Sequence, residues 1–408
     1  MDLDSLSPAR PAFAAPAARL RARAAAIACA FSLAACAAPT DRAADATLRA
    51  PTAADAGALE LFVLEDGSAS LRGLSAVSAD VAWATGSGPT VARTTDGGRT
   101  WSSLAPESIE GLDVRDVHAL SAEVAWIMTA GPGEASRILH TRDGGATWTE
   151  QHRETDEASF LDGFAFLDAE RAVAYGDPLP GAGFRFLVTE DGGTTWTPRS
   201  PGPLPLESGE ASFAASGTGI VARRDGPPFV TEAWIATGAN DGRARVLRTS
   251  HRGEDPAQRL SERLGPRWPL GTRWTAVETT LPAPKPAAGA FSLAFDAEGN
   301  GVAVGGDYTA REIGGVGCAS WTEDRGATWH EPETGPRGQR AGCAALGGGH
   351  FVATGQTGTD VSTDGGRTWR ALTEEGFHCV EAARDGSALW FAGPRGRVGR
   401  LPAPAPPG

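Results

Sequence analysis

The sequence predicts an all-β fold, a seven-bladed β-propeller whose ring is closed by an N-terminal strand. The first observation is a phrase that occurs five times, beginning as TTDGGRTW at 94–101 and ending as STDGGRTW at 362–369. The second is the spacing of its aspartates, which follow one another after 47, 48, 133 and 40 residues. The third is the composition, because 53 Gly and 29 Pro among 408 residues suit many short strands joined by turns.

The first repeat, residues 74–101, shows how one unit is built. VAWAT and TVART alternate between inward and outward residues like half-buried strands, and GSGP supplies the turn between them. The DGG at 96–98 supplies a tight hairpin that needs positive φ angles. We expect Asp96 to accept hydrogen bonds from backbone N–H groups across this turn. We expect the large apolar ring of Trp101 to pack between neighbouring sheets.

Five repeats are complete, and we expect the turn aspartate and the following tryptophan to be structural in each. The pairs are Asp96 and Trp101, Asp143 and Trp148, Asp191 and Trp196, Asp324 and Trp329, and Asp364 and Trp369. The 133-residue interval hides a sixth repeat at 234–254, where His251 stands in the place of the aspartate. Its tryptophan is expected to return after an insertion, as Trp274.

The seventh repeat, residues 377–401, has three predicted strands and then stops. Its fourth strand is expected from ELFVLED at 60–66, which closes the ring without exposed sheet edges. A solenoid, the competing repeat architecture, has no reason to end in such a matching half-unit. We therefore predict a propeller over residues 59–402 and a Pro-rich tail at 403–408.

The five phrases match the pattern S/T-x-D-x-G-x-T-W, known as the Asp-box or BNR repeat. This repeat occurs in sialidases, some endoglucanases, sorting receptors and the photosystem II stability/assembly factors. Residues 60–401 most resemble the last family and its bacterial relatives, notably at 70–98, 163–178, 291–308 and 357–369. The resemblance implies a seven-bladed propeller that scaffolds a membrane complex during assembly. The chain departs from the family in charge, because the family's binding surface is basic whereas this chain has a net charge of −13.

The N-terminus is predicted to be an export signal rather than part of the fold. Arg19, Arg21 and Arg23 precede an apolar run that is too short to span a bilayer. The run ends in LAAC at 33–36, which resembles the bacterial lipobox. Residues 1–36 are therefore expected to be a lipoprotein signal peptide with lipidation at Cys36. An ordinary signal peptide and a cytoplasmic protein are the alternatives.

The residues after the signal peptide bear on how the mature protein is attached and where it is expected to lie. Residues 37–58 are Ala-rich and without pattern, and are expected to form a flexible tether. The resulting lipoprotein would sit in the cell envelope and face the periplasm. Ala37, which follows the lipobox where an Asp would be a retention signal, favours the outer membrane by resemblance to lipoprotein sorting rules.

Several classes of site have no support in the sequence. The net charge of −13 argues against general nucleic-acid binding. The cysteines form no CxxC pair and the seven histidines are scattered, so we expect no metal site. GSGPTVA at 86–92 loosely imitates a dinucleotide-binding phrase but lies between two strands, so we expect no cofactor. Cys318, Cys343 and Cys379 are expected to be buried free thiols, with a Cys343–Cys379 disulfide as the alternative.

Two functions remain open. The expected one is a non-catalytic scaffold that binds an unidentified envelope protein or membrane complex. The alternative is a carbohydrate-active propeller, sialidase-like or another glycoside hydrolase, which needs two carboxylates facing one cleft. Asp177 and Asp307 can reach one face of the ring and would supply such a pair. The sialidase motif F/Y-R-I-P is missing, because FRFL at 184–187 does not match it.

The binding surface is expected on the loops between the second and third strands of the repeats. These loops vary most in length and share a face with the crossovers between blades. Loops on a rigid scaffold commonly carry function. The candidate residues are Asp177, Arg185, Arg243, Asp307, Tyr308, Arg311 and Arg395. The alternative for each is a solvated turn residue without a binding role.

Overall fold

The computed structural model describes residues 49–403, except 53, 65–66, 200–203, 205, 226–229 and 251–272. The described residues form seven antiparallel sheets, which we number blades 1 to 7 in chain order. The predicted signal peptide with Cys36, the tail from residue 404 onwards and His251 lie outside the described residues.

The first four blades have four strands each. Blade 1 comprises Leu71–Ala76, Ala82–Gly86, Thr90–Thr94 and Ser102–Ser103; blade 2 comprises Asp113–Ala119, Ala125–Ala130, Arg137–Thr141 and Thr149–Arg153. Blade 3 comprises Leu161–Phe166, Ala172–Leu179, Gly183–Thr189 and Thr197–Arg199; blade 4 comprises Ile220–Asp225, Val230–Ala236, Gly242–Ser250 and Arg273–Ala283.

The last three blades complete the ring. Blade 5 comprises Ala288–Phe295, Gly301–Asp307 and Ala319–Thr322; blade 6 comprises Gly342–Gly347, His350–Gly355, Gly358–Ser362 and Arg370–Thr373. Blade 7 comprises Cys379–Ala382, Ala388–Ala392, Arg397–Pro402 and the N-terminal Glu60–Val63. Short 3-10 helices lie at Asp55–Ala58, Glu107–Ile109, Gly133–Ala135 and Val316–Cys318. None of the helices in the described residues has the length and apolar content to cross a membrane.

The blades are arranged as a closed ring. The first strand of each blade contacts the first strand of the next, and that of blade 7 contacts that of blade 1. The first strands therefore surround the centre. In blade 7 the N-terminal strand pairs antiparallel with the third strand, with Glu60 opposite Arg400 and Val63 opposite Arg397. The predicted seven-bladed propeller with an N-terminal closing strand is confirmed.

Each interface between neighbouring blades has its own hydrophobic cluster, and the box tryptophan lies in the cluster shared with the preceding blade. Trp101 meets Trp390 of blade 7 edge-on, with ring centroids 6.1 Å apart. Trp274 takes the same place between blades 3 and 4, with its ring centroid 5.6 Å from that of Phe186. The insertion before Trp274 therefore leaves the tryptophan of the sixth repeat in the position that the box tryptophans occupy.

Hydrogen bonds to the box aspartate hold each hairpin. In the first box, the N–H and hydroxyl of Thr100 donate to the Asp96 carboxylate at 2.9 and 2.6 Å, and Gly98 N–H donates to Thr94 Oγ1 at 2.9 Å. The same contacts recur at Asp143, Asp191, Asp324 and Asp364. The Thr100 hydrogen bonds lower the pKa of Asp96 to about 2, so the carboxylate is ionised and used by its own turn.

Blade 5 has three strands where the repeat predicts four. The expected fourth strand is reduced to a bridge between Trp321 and His330. The following residues pair with blade 6 instead, where Glu333 N–H donates to Arg367 O at 2.7 Å and Thr334 bridges to Thr368. The outer segment of blade 5 is therefore shared with its neighbour.

Part of the segment predicted as a tether packs against the propeller. Ala50 is 5% exposed and belongs to the cluster between blades 6 and 7. The Arg370 guanidinium donates to Pro51 O at 3.2 Å, and Thr52 N–H donates to Asp55 at 2.7 Å. Residues 49–52 and 54–58 thus lie on the folded body, where a flexible tether was expected, because Ala50 packs into a buried site that the sequence pattern does not indicate.

The three cysteines of the propeller are buried free thiols. Cys343 lies in the cluster between blades 5 and 6, whereas Cys379 lies in the cluster between blades 7 and 1. Burial raises the pKa of Cys343 to about 12. The structure therefore does not have the alternative Cys343–Cys379 disulfide.

Candidate binding pocket at the centre of the ring

A cavity of about 350 Å³ opens at the centre of the ring. It is lined by residues from the beginnings of the first strands and from the loops between second and third strands. It therefore opens on the face that carries the crossovers between blades. Its volume lies in the range of about 300–1,000 Å³ typical of ligand pockets.

Four lining residues occupy one repeated position in the first strands. In blade 1 the pairing with the second strand skips Arg72, which leaves this residue in a β-bulge. The same skip leaves out Arg115 in blade 2, Asp162 in blade 3 and Phe291 in blade 5. A bulge breaks the alternation of side chains and re-aims one of them. Because the first strands surround the centre, the bulge directs all four side chains to the cavity.

Arg72, Arg115 and Arg311 bring positive charge to the cavity from blades 1, 2 and 5. Arg115 donates to Asp113 at 2.8 Å and Arg311 donates to Gln356 Oε1 at 3.1 Å. Within the described residues, the Arg72 side chain has no hydrogen bond or ion pair. Burial lowers the pKa of Arg72, and the nearby charges of Arg115 and Arg311 lower it further. Three guanidinium groups in this arrangement can bind a carboxylate or a phosphate.

An aromatic wall faces the same cavity. The Phe213 and Phe291 rings lie 4.3 Å apart, and the Phe291 and Tyr308 rings lie 6.3 Å apart in an edge-on arrangement. Tyr308 is 45% exposed although it is a large aromatic residue. Such a wall suits an apolar or aromatic side chain, and the Tyr308 hydroxyl adds a polar end.

Two aspartates of blade 3 form the acidic part of the lining. Asp162 is 3% exposed and accepts the Ser212 hydroxyl at 2.8 Å. Burial and the charge of Asp177 raise the pKa of Asp162 well above its usual value, and burial also raises the pKa of Asp177. Two neighbouring buried carboxyls resist ionising together. Among the described residues, no group of three or more His, Cys, Asp or Glu side chains is placed to hold a metal ion.

His378 and Gln356 close the side of the cavity at blades 6 and 7. His378 Nδ1 lies 2.9 Å from Leu71 O, and since a carbonyl accepts, this nitrogen carries a proton. Gln356 Nε2 donates to His378 Nε2 at 3.0 Å. Burial, and then the charge of Arg72, lower the pKa of His378 to about 4. The imidazole is therefore neutral at pH 7 and fixes the Gln356 amide in place.

The cavity brings together three of the seven residues predicted for the binding face, namely Asp177, Tyr308 and Arg311. Asp307 lies outside its lining and pairs with Lys285 Nζ at 2.5 Å. Asp307 therefore does not line this cavity together with Asp177, and the second carboxyl in the lining is that of Asp162.

The other three predicted residues lie outside the cavity lining. Arg185 donates to the buried Glu154 at 2.7 Å, and Arg243 donates to Thr280 O at 2.9 Å. Arg395 is an exposed residue of the blade 7 turn with a φ of 60°. Arg185 thus binds the segment that follows blade 2, and Arg243 joins two strands of blade 4.

Sequence reasoning missed Arg72, Arg115 and Asp162 because it looked for the site in loops. A signal was present in the repeats, which read LRGL at 71–74, VRDV at 114–117 and LDGF at 161–164. In each, two residues separate the apolar positions where a regular strand would have one. Superposing the repeats on this spacing would have revealed the bulge and the charged residue within it.

No protein-family model matches the chain, and no curated protein matches it in sequence. Among solved structures, the chain is similar to YCF48 bound to D1 peptide, with a TM-score of 0.55, 15% identity and coverage of 85% of this chain and 97% of that one. It is also similar to YCF48 from Cyanidioschyzon merolae, with a TM-score of 0.52, 17% identity and coverage of 84% and 98%. At these identities the likeness shows the fold. The structural similarity to the seven-bladed propeller of the photosystem II assembly factor YCF48 is therefore confirmed.

Proposed function

We propose that the chain is a non-catalytic binding scaffold that engages a segment of a protein or membrane complex through the central pocket. The observation that carries this proposal is the convergence of Arg72, Arg115 and Arg311 with an aromatic wall in one cavity. The arginines suit an acidic group and the wall suits an apolar neighbour of that group. One short stretch of protein supplies both.

The construction of the pocket supports a binding role. Arg72, Arg115 and Phe291 stand on inner strands rather than on loop tips, so little order has to be gained on binding. The similar YCF48 structure is described as bound to D1 peptide, which supports a protein segment as the class of ligand.

The distribution of charge supports an acidic ligand despite the overall acidity. The chain has a net charge of −13, yet its central cavity is lined by three arginines and two aspartates. Arg115 is paired with Asp113 at 2.8 Å, whereas the Arg72 side chain has no ion pair within the described residues and is available to a ligand. We expect the remaining acidic surface to limit unspecific binding of acidic molecules.

A pull-down from detergent-solubilised membranes tests the proposal. The tagged protein is compared with a variant carrying Arg72→Gln and Arg311→Gln, and with Arg243→Gln as a control on the same face outside the cavity. We expect a recurrent partner that the wild type and the control retain and the double variant loses. A partner that the double variant retains in full would remove the pocket from the proposal.

We further propose that the protein is an envelope lipoprotein, anchored through Cys36, facing the periplasm and held at the outer membrane. The lipobox-like LAAC at 33–36 supports this. Labelling of cells with a radioactive fatty acid is expected to mark the wild type and to leave Cys36→Ser unmarked. Equal labelling of both would contradict the anchor.

A second candidate, a hydrolase of acidic sugars, is favoured by the meeting of three arginines, Tyr308 and the pair Asp162 and Asp177 in one cavity. Among the described lining residues there is no glutamate to form a tyrosine–glutamate nucleophile pair. Release of sugar from sialylated and other glycans, lost in Asp162→Asn, would favour this candidate over the scaffold.

A further inference from the structure

We propose that Asp162, Asp177 and Ser212 form a cation subsite, so that the segment bound by the pocket carries a protonated amine beside its acidic group. This inference rests on the proposed function, because it concerns the same cavity, and it narrows the ligand to a bipolar segment. The amine is a lysine side chain or an amino terminus, which share the ammonium group.

The carboxyl pair lines the cavity without a paired cation of its own. Asp162 is bound by the Ser212 hydroxyl at 2.8 Å. Asp177 Oδ1 is buried and has no hydrogen-bond partner within the described residues. Neither carboxyl forms an ion pair in that part of the chain, although three arginines line the same cavity. A buried acceptor without a hydrogen bond lowers the stability of the protein, and a donor from a ligand would remove this cost.

Asp116, a buried carboxyl in the first strand of blade 2, differs from the Asp162 and Asp177 pair in its hydrogen bonding. Asp116 directly follows the bulge residue of blade 2, and both its oxygens are met by backbone donors. Val117 N–H donates to Oδ1 at 2.8 Å and Phe164 N–H donates to Oδ2 at 3.0 Å. Asp116 is not part of the cavity lining. The fold thus satisfies both oxygens of a carboxyl that only supports strands, whereas Asp177, which lines the cavity, keeps one buried oxygen without a hydrogen bond among the described residues.

The two signs of charge enter the cavity from different blades. The acidic pair belongs to blade 3, whereas Arg72, Arg115 and Arg311 belong to blades 1, 2 and 5. A purely acidic segment would place its charge beside the arginines but also near Asp162 and Asp177. A segment with both charges meets a partner on each side and avoids that repulsion.

The raised pKa of Asp162 links binding of a cation to release of a proton. Burial and then the charge of Asp177 raise this pKa, whereas the Ser212 hydroxyl and the Arg115 charge lower it. An ammonium group between the carboxyls lowers their pKa values, because it supplies the opposite charge. Binding of the amine is therefore expected to release a proton to the solvent.

A peptide array probes the subsite. Each nine-residue peptide carries one fixed Glu, and a Lys or a norleucine is placed one to five positions from it. The set is made with acetylated and with free amino termini, which separates a lysine side chain from an amino terminus. The full chain is used as wild type, as Asp177→Asn, and as Asp307→Asn, a matched control on the same face outside the lining. Melting curves establish that the variants are folded, and calorimetry in two buffers of different ionisation enthalpy measures proton release.

We expect the amine to strengthen binding to the wild type and to Asp307→Asn at least about tenfold over norleucine at one spacing, with proton release. In Asp177→Asn this preference is expected to fall below about twofold, while binding of the norleucine peptides stays unchanged. The subsite is overturned if acidic peptides bind but neither a lysine nor a free amino terminus increases their affinity. That result leaves the scaffold proposal intact. No binding of any peptide overturns both.

Discussion

Arg340 and Asp360 illustrate how single residues stabilise this ring. Arg340 is completely buried, and its Nε donates to Asp360 Oδ2 at 2.8 Å. Asp360 also accepts Arg337 Nε at 2.8 Å, so one buried carboxylate serves two guanidinium groups. Arg340 lies between two lining residues of the pocket, Gln339 and Ala341. The buried network therefore supports both the fold of blade 6 and one wall of the cavity.

Asp360→Asn is expected to lower the free energy of unfolding by about 3 kcal/mol, because it leaves the buried charge of Arg340 without its counter-ion. Chemical denaturation measures the change. The control is Glu374→Gln, since Glu374 is an 85% exposed partner of Arg337 and its loss should cost no more than about 0.5 kcal/mol. Equal stability of both variants would show that the buried network does not carry stability.

Glu381 makes stability depend on pH near neutrality. Burial raises its pKa to about 7, although the Arg384 charge and the Ala76 N–H oppose the shift. The folded state therefore holds this proton more tightly than the unfolded state, in which the pKa is near 4.5. The stabilisation is fully present below about pH 4.5 and is lost as the pH rises through about 7.

Glu381→Gln is accordingly expected to raise the melting temperature at pH 8 relative to the wild type. At about pH 3.5, where the wild-type carboxyl is almost fully protonated in both states, the two proteins should melt within a degree or two of each other. Thermal unfolding at the two pH values measures the difference. A variant that melts lower than the wild type at pH 8 would contradict a buried carboxylate that is costly to ionise.

At the level of single residues, the sequence predicted structural roles better than binding roles. Asp96 and Trp101 were predictable because a short local phrase specifies their turn and their packing. The binding-site positions of Arg72 and Asp162 were not predictable, because they depend on a bulge and on the meeting of the other blades at the centre. Tyr308 was predicted for the binding face because it stands in a long loop, and it lines the cavity.

The N-terminal strand Glu60–Val63 is the element that closes the ring. It pairs with the third strand of blade 7, and its Phe62 packs against the cluster between blades 7 and 1. Its outer side chains Leu61 and Val63 are 47% and 62% exposed. The strand is short, but it joins the two ends of the chain by main-chain pairing.

Removal of residues 1–66 is therefore expected to lower the melting temperature by at least about 10 °C or to cause aggregation, because blade 7 loses its outer strand and blade 1 its packed neighbour. Removal of residues 1–48 is the control, and should leave the melting temperature within about 2 °C. If both truncated chains melt alike, the closing strand does not hold the ring.

The elements themselves were largely predictable, and the misses have a common cause. The sixth repeat was predicted without its aspartate because residues 234–254 keep the strand, turn and strand pattern of the other repeats. The missing strand of blade 5 was not foreseen, because it depends on Glu333 and Thr334 pairing with the next blade. The sequence of one repeat does not indicate that its last segment pairs with the next blade instead of its own.

The whole molecule works as a ring of seven interfaces around one opening. Each interface is filled by its own apolar cluster, so the inner strands are held from both sides. The cavity is lined by one or more residues from each blade or the crossover beside it, so the chemistry of the pocket is set blade by blade. The repeat count predicted the ring, whereas the charges that meet inside it became visible only in three dimensions.

Photocrosslinking at Tyr308 tests the central claim most directly, that the pocket on the crossover face binds a protein segment. Tyr308 is replaced by p-benzoylphenylalanine in cells, and Arg99, an exposed residue of a box turn on the opposite face, is replaced in the same way as a control. We predict a discrete adduct at position 308 that is lost when Arg72→Gln and Arg311→Gln are added, and that does not form at position 99. The same adducts at both positions, or an adduct at 308 that persists without the two arginines, would contradict the account.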